Sequence, residues 1–408
     1  MQFGSSNNTI NDNKINGLRI HLVNLIILLI VVFSFTTTVQ SLFDRFSINR
    51  IIGGLLAVVS ALLFFIRPEI KSFYKVTVLF VIALISLVSS VDISKDLTDF
   101  IYLFATILMI LNISNKNNTA LFIKSFNKFL KPISFFVIVE CGILLVLLLT
   151  KKGYAYHWGE SRYFLGLCNG QHTMASLCCL IVTFTIFIIL QKKKHLIFWG
   201  MLVLIPSYAI FETGARVFLF PLAILLFFLI QISVKRKAIR ISIYSIGIVL
   251  FVLIILHSSM LDKFQFVTGN SYAGNLARDF SSGRTEFWKV DLELFASGNF
   301  FQIIFGRGFA SVYLTNLKKV SMEIWAHNDI IHLLVGTGIC GAYIYISIVY
   351  TAFRNVKKLF KNRYVFAVLV VYVIVPMLLN GFFVLQHYVY SFVTLYLIML
   401  NLQRNRET

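Results

Sequence analysis

Seventeen residues, Trp325 to Gly341, read W-A-H-N-D-I-I-H-L-L-V-G-T-G-I-C-G. A long polar stretch ends there and an apolar one begins. His327, Asn328 and Asp329 stand at that junction, where polar groups are far less costly than deeper in hydrocarbon. An imidazole titrates near neutrality, so His327 can take a proton from a hydroxyl and return it. His332 follows about one turn after Asn328 and Asp329, as a candidate supporting partner. Gly336, Gly338 and Gly341 lie on the same helix, where small residues let a second helix or a ligand approach the backbone. The plainer reading has Asn328 or Asp329 capping the helix and the glycines only packing.

Three arginines form the second constellation. Arg216 follows Glu212, Thr213 and Gly214 at the end of an apolar segment, and Arg284 sits in S-S-G-R-T-E-F-W. Arg162 sits in E-S-R-Y-F-L-G-L-C-N-G. A guanidinium keeps its charge and binds phosphate bidentately, so arginines converging on one face suit a phosphate or diphosphate ligand. Each also has an acid close by in sequence (Glu212, Glu286 and Glu160), and a simple ion pair is the alternative for any one of them.

The elements that must position these residues are membrane spans. The chain has 408 residues, is 58% hydrophobic and only 13% charged, with a mean hydropathy of +0.83. A soluble domain carries roughly twice that charged fraction. A span needs about 20 mostly apolar residues. Twelve segments approach that rule: 20–38, 51–66, 76–91, 99–113, 132–150, 173–190, 196–211, 215–233, 241–258, 329–353, 364–380 and 384–402. Pro206, Pro221 and Pro376 lie inside spans and remove backbone donors there.

Charge orients the twelve. With the N-terminus inside, 23 of the 37 basic residues fall in inside segments. The short outer loops and the long loop after residue 258 hold seven each. The positive-inside rule therefore expects both ends in the cytoplasm. The net charge of +20 is then mostly an orientation signal facing anionic lipid, which removes the need for a nucleic-acid partner. The expected organisation is a cytoplasmic tail (1–19), nine spans (20–258) with an outer loop at 151–172, a large, partly helical outer loop (259–326), three spans (327–402) and a short tail (403–408).

Other chemistry is weakly supported. The five cysteines show no C-x-x-C spacing, which argues against a zinc site or disulfide framework. Asp92, Asp96 and Asp99, and the pair Asp291 and Glu293, are spaced as on ordinary solvated helix faces and make weak metal sites. Glu140 lies within a span. No phosphate-binding G-x-x-x-x-G-K-[ST] loop and no G-x-S-x-G motif is present. His157, His172 and His387 fall on the outer side with no assigned role.

His327-Asn328, nine residues, then Gly338-x-x-Gly341 resembles the signature of the O-antigen polymerase and O-antigen ligase superfamily of bacterial membrane glycosyltransferases. T-G-A-R at Arg216 and S-G-R-T-E-F-W at Arg284 resemble that family's arginines, at a span end and in the large loop. G-R-G-F, Gly306 to Phe309, resembles its glycine-rich turn. Arg162 and Gly166 resemble an earlier element, with the usual following Asn replaced or shifted to Asn169 or His172. The resemblance implies an all-α polytopic protein of the inner (cytoplasmic) membrane with its active site on the periplasmic face. It implies inverting, metal-independent sugar transfer with no cofactor. The donor would be an undecaprenyl-diphosphate-linked oligosaccharide. His327 would be the base, Arg216, Arg284 and Arg162 would bind the diphosphate, and Asn328, Asp329, His332, Gly338 and Gly341 would support them. Membrane lipid and a chain-length regulator protein are the further partners it implies. Polymerase is favoured over ligase, which would use lipid A–core as acceptor. A lipid-linked sugar flippase is the reading from a different class, and having Glu140 as the one acid clearly at mid-span counts against it.

Overall fold

The computed structural model describes residues 6–42, 48–158, 161–192, 194–258 and 283–404. Glu160 and the first part of the long loop (259–282) lie outside the described residues. The described chain is helical almost throughout. It runs α1 (Ser6–Thr38), α2 (Ile48–Ile66), α3 (Ile70–Leu87), α4 (Ile93–Ser114), α5 (Lys116–Lys128) and α6 (Leu130–Thr150). A hairpin follows, β1 (Tyr154–Trp158) antiparallel to β2 (Ser161–Phe164). Next come α7 (Gln171–Lys192), α8 (Leu196–Glu212), a 3-10 turn at Arg216–Phe218, α9 (Leu219–Ser233) and α10 (Lys237–Leu256). The long loop contributes α11 (Arg284–Ala296), α12 (Phe300–Phe305) and α13 (Ala310–Val320). The chain closes with α14 (Asp329–Leu359), α15 (Arg363–Leu379) and α16 (Gln386–Arg404).

Each of the twelve apolar segments falls on a helix. Nine helices among the described residues are long and apolar enough to cross a membrane, and α8 and α15 are shorter apolar helices. The last segment, α16, is instead almost wholly buried in the bundle. Three features differ from the expectation. The expected N-terminal tail is helical from Ser6, α5 is an additional helix in a basic segment, and the 151–172 loop folds as the hairpin.

Burial sorts the helices. Nearly every residue of α7 is buried, and α7 packs with α8 and α16 at the centre. Helix α10 buries none of its residues, so its Ile, Val and Leu surface suits lipid. The site elements meet at the end of the bundle where α4, α7, α14 and α16 begin.

Candidate functional site

Asn328 closes the N-terminus of α14. Its Oδ1 accepts from the backbone N–H of Ile330 (2.9 Å) and Ile331 (3.2 Å), the bonds of an N-cap, so the plain reading of Asn328 is correct. The cap forces a turn on the residue before it. His327 adopts a left-handed φ of 51°, which costs a non-glycine residue about 1–2 kcal/mol. That cost is met by contacts at every side of the ring, which is 3% exposed. Trp325 lies 4.5 Å away, His172 5.3 Å and Phe287 6.2 Å between ring centroids.

A turn from the end of α15 holds the histidine. Asn380 Oδ1, as assigned, lies 3.1 Å from His327 Nδ1. An Nδ1–H donating there fixes the tautomer and makes Nε2 the basic nitrogen. The turn is itself clamped. Asp329 Oδ1 accepts from Phe382 N–H (2.9 Å), Asp329 Oδ2 accepts from Tyr345 O–H (3.1 Å), and Asn328 Nδ2 donates to the Leu378 carbonyl (3.0 Å). Trp325 Nε1 donates to the Asn380 carbonyl (2.8 Å). Asp329 is thus a positioning group for the turn.

The long loop delivers an arginine to the same place. Arg284, Phe287 and Trp288 are spaced to share one face of α11. Phe287 touches the His327 ring, and Trp288 Nε1 donates to the Ala326 carbonyl (2.8 Å). Arg284 at the start of that helix is mostly buried. Burial, and then the charge of Arg216, push its guanidinium down to about 10. The charge of Arg216 is thus felt at Arg284, although 67 residues lie between them in sequence. Arg216 follows the turn at Gly214 (φ 63°), and Phe218 on its 3-10 turn packs on His172 at 6.2 Å. His172 therefore bridges the Arg216 turn and the His327 ring.

Arg162 is placed differently. It lies on β2 with its guanidinium over the Tyr156 ring, 4.7 Å from the centroid, and is exposed. Strand alternation turns its neighbour Tyr163 inward, where Tyr163 is buried and interacts with Arg216. His332 also faces elsewhere. Its Nε2 lies 3.1 Å from Asp99 Oδ2, which also accepts from Tyr313 O–H (3.0 Å), while Phe309 stacks on the ring at 4.7 Å. Asp96 accepts from Ala310 N–H (2.7 Å), and Asp92 caps α4. These carboxylates hold the G-R-G-F turn and α13 to α4.

The glycines answer a packing demand. Gly338 has φ 69° and ψ −174°, breaking α14 internally. A Cβ there would clash with the Ile304 carbonyl, so the backbone approaching is that of α12. The break leaves carbonyls of the preceding turn to outside donors. Val335 O accepts from Arg307 N–H (3.0 Å) and Gly336 O from Gly308 N–H (3.1 Å). Gly306 and Gly308 both take φ 84° to make that turn. The atoms nearest an added Cβ at Gly341 belong to the Thr337 side chain.

The structure thus brings together His327, Arg216 and Arg284, supported by Asn328, Asp329 and the Gly336–Gly338 break. It adds His172, Trp325 and Asn380, to which sequence reasoning assigned no role. His172 carried one available signal, its place at the start of the most buried helix. Comparison with known proteins finds no matching family model, curated protein or solved structure. What the fold defines is a class, an all-α polytopic protein with nine membrane-length apolar helices among the described residues.

Proposed function

We propose that the protein is an O-antigen (surface polysaccharide) polymerase of the bacterial inner membrane. It transfers an undecaprenyl-diphosphate-linked glycan to a sugar hydroxyl of another lipid-linked repeat unit at the periplasmic face. The observation that carries the reading is the convergence of Arg216 and Arg284 beside His327. His327 Nε2 accepts the proton of the acceptor hydroxyl as the hydroxyl oxygen attacks the anomeric carbon. A glycosidic C–O bond forms, the bond to the diphosphate oxygen breaks with inversion, and the proton passes on to solvent or to the departing diphosphate. Negative charge grows on that leaving group, and two fixed guanidinium groups in a partly dry site stabilise it without reorganisation. The mechanism is metal-independent in this reading, since guanidinium groups and, among the described residues, no carboxylate cluster stand beside the histidine. Asp96 and Asp99 are committed to Ala310, Tyr313 and His332.

The test is glycan assembly by purified protein, wild type against His327→Ala, with chelator present. Undecaprenyl-diphosphate repeat units are offered alone and then with lipid A–core. Laddered polymer from the donor alone, lost in the variant, is the expected result. Product only with lipid A–core makes the protein a ligase. No product, with lipid translocation in liposomes instead, overturns the transferase reading.

A further inference from the structure

Two cavities adjoin at the site end of the bundle, and the mechanism above uses neither. One, of about 430 Å³, lies behind Trp325 and His172, whose rings touch His327. The other, of about 630 Å³, lies between the end of α1 and the starts of α2 and α4. They share Gln40, Asn49, Tyr102 and Asn169, so one trough leads from the histidine to the first turn of α2.

Arg50 stands at the far end of that trough. Among the described lining residues of the larger cavity it is the one with a formal charge. It is exposed, and it makes no hydrogen bond or ion pair with any described residue. Its neighbour Asn49 is fixed to α1, accepting from Thr36 O–H (2.7 Å) and donating to Thr37 Oγ1 (3.1 Å). Arg50 therefore rises from a backbone that is held in place. The Tyr102 hydroxyl lies within reach of its charge, and the Gln40 amide lines the same cavity. A guanidinium with neutral donors around it suits a phosphate, which it binds bidentately.

The face of α2 that carries Arg50 continues into an apolar slot. Arg50, Gly54, Ala57, Ala61 and Phe65 recur at helical spacing. From Ala57 onward that stripe lines a third cavity, of about 470 Å³, between α2, α3 and α4. Thr77 is the one polar side chain among its described lining residues. On α4 the two cavities occupy adjoining faces, with Thr98 and Tyr102 on the polar one and Leu97 and Ile101 on the slot. From Leu97 to Leu108 the slot follows α4 for about 16 Å. That is about half of a hydrocarbon core of roughly 30 Å, the depth of one leaflet. Val58 and Phe80 on its rim are exposed, so the slot opens sideways toward lipid. A cation above a slot one leaflet deep is complementary to an anionic head on a hydrocarbon chain.

We propose that Arg50 and this slot hold the second lipid-linked substrate, the acceptor, with its diphosphate on Arg50 and the first part of its polyprenyl chain between α2, α3 and α4. The proposal rests on the polymerase reading, which needs two diphosphates in two places. The donor's diphosphate leaves from the carbon under attack, so it belongs beside His327 with Arg216 and Arg284. The acceptor's lies a repeat unit away from the hydroxyl that attacks, and the trough supplies that separation.

The experiment is photolabelling of the full chain in phosphatidylcholine nanodiscs, with farnesyl diphosphate carrying a diazirine at the end of its chain. Mass spectrometry maps the labelled residues. Label is expected in the slot, displaced by unlabelled farnesyl diphosphate. In Arg50→Gln, half-labelling should need about tenfold more probe, the size of one lost charge-assisted hydrogen bond at an exposed site. Ala61→Phe fills the slot and should remove the label there with Arg50 intact, which guards against misfolding of either variant alone. Absence of label from the slot, or label unchanged in both variants, overturns the proposal. Displacement by phosphatidylglycerol as effective as by farnesyl diphosphate gives the slot to membrane phospholipid and overturns it too. The two readings fail separately. Slot label that depends on Arg50, in a protein that makes no glycan from lipid-linked units, removes the polymerase and keeps the lipid diphosphate site. Polymer synthesis with a KM unmoved by Arg50→Gln does the reverse.

Discussion

Two guanidinium groups held together in a half-buried pocket should destabilise the empty protein and stabilise it once an anion arrives. Arg284 shows the strain, since burial and the neighbouring Arg216 bring it down to about 10. That displacement corresponds to about 3 kcal/mol at neutral pH. Solvent still reaches part of the side chain, so the effective cost is scaled to about 1–2 kcal/mol. Replacing Arg284 by Gln removes one of the two charges. The unliganded variant should therefore melt higher than wild type, by about 1–2 °C. The sign with pH is fixed. The folded-state value lies below the unfolded one, so the penalty is fully present at every pH below about 10 and is relieved only as pH rises through that value. The increase should be equal at pH 6 and pH 8. Ligand reverses the order. Inorganic pyrophosphate at a hundred times its dissociation constant should stabilise wild type by about 2.7 kcal/mol. Losing one charge-assisted hydrogen bond, about 1.5–3 kcal/mol, should weaken pyrophosphate binding roughly 10- to 150-fold in Arg284→Gln. Thermal unfolding in nanodiscs, with and without pyrophosphate and without divalent cations, reads both effects. A variant that melts lower when empty and keeps the full pyrophosphate shift would refute the paired-arginine argument.

Other perturbations test other parts of the site. Asn380→Asp puts a carboxylate against His327 Nδ1, favours the imidazolium and should move the acid limb of the transfer rate to higher pH, whereas an unmoved limb removes Asn380 as the orienting group. Gly338→Ala should cost about 2–4 kcal/mol from its left-handed backbone and the Ile304 contact, read as a lowered Tm beside Gly142→Ala, whose added Cβ meets nothing within 4 Å. Asp291, buried on α11 with Asn316 as its donor, is pushed up by burial to about 7. Its folded value exceeds the unfolded one, so stability should fall as pH rises from about 4 through 7, and Asp291→Asn should flatten that slope in a melting series.

Local chemistry determined much of this protein. Hydropathy is a property of contiguous residues, so each apolar stretch from 20–38 to 384–402 lies on a helix. The Asn328 cap was equally legible, because an N-cap bonds only two and three residues ahead. His327 and Arg216 could be picked out because each stands at a change of polarity, and Arg284 as an arginine of the long loop suited to a phosphate. Their meeting could not. It depends on Phe287 and Trp288 folding α11 back over the segment before α14, and on Phe218 reaching His172. Arg162 and Tyr163 show the limit most simply, since a strand sends neighbours to opposite faces and only packing chooses which face is inside. Small residues at Gly336 and Gly338 announced a close approach, and the fold decided that the approaching backbone is α12. Asn380 carries no local signature at all. Its partner comes from a distant segment, so its chemistry exists only once the helices have packed.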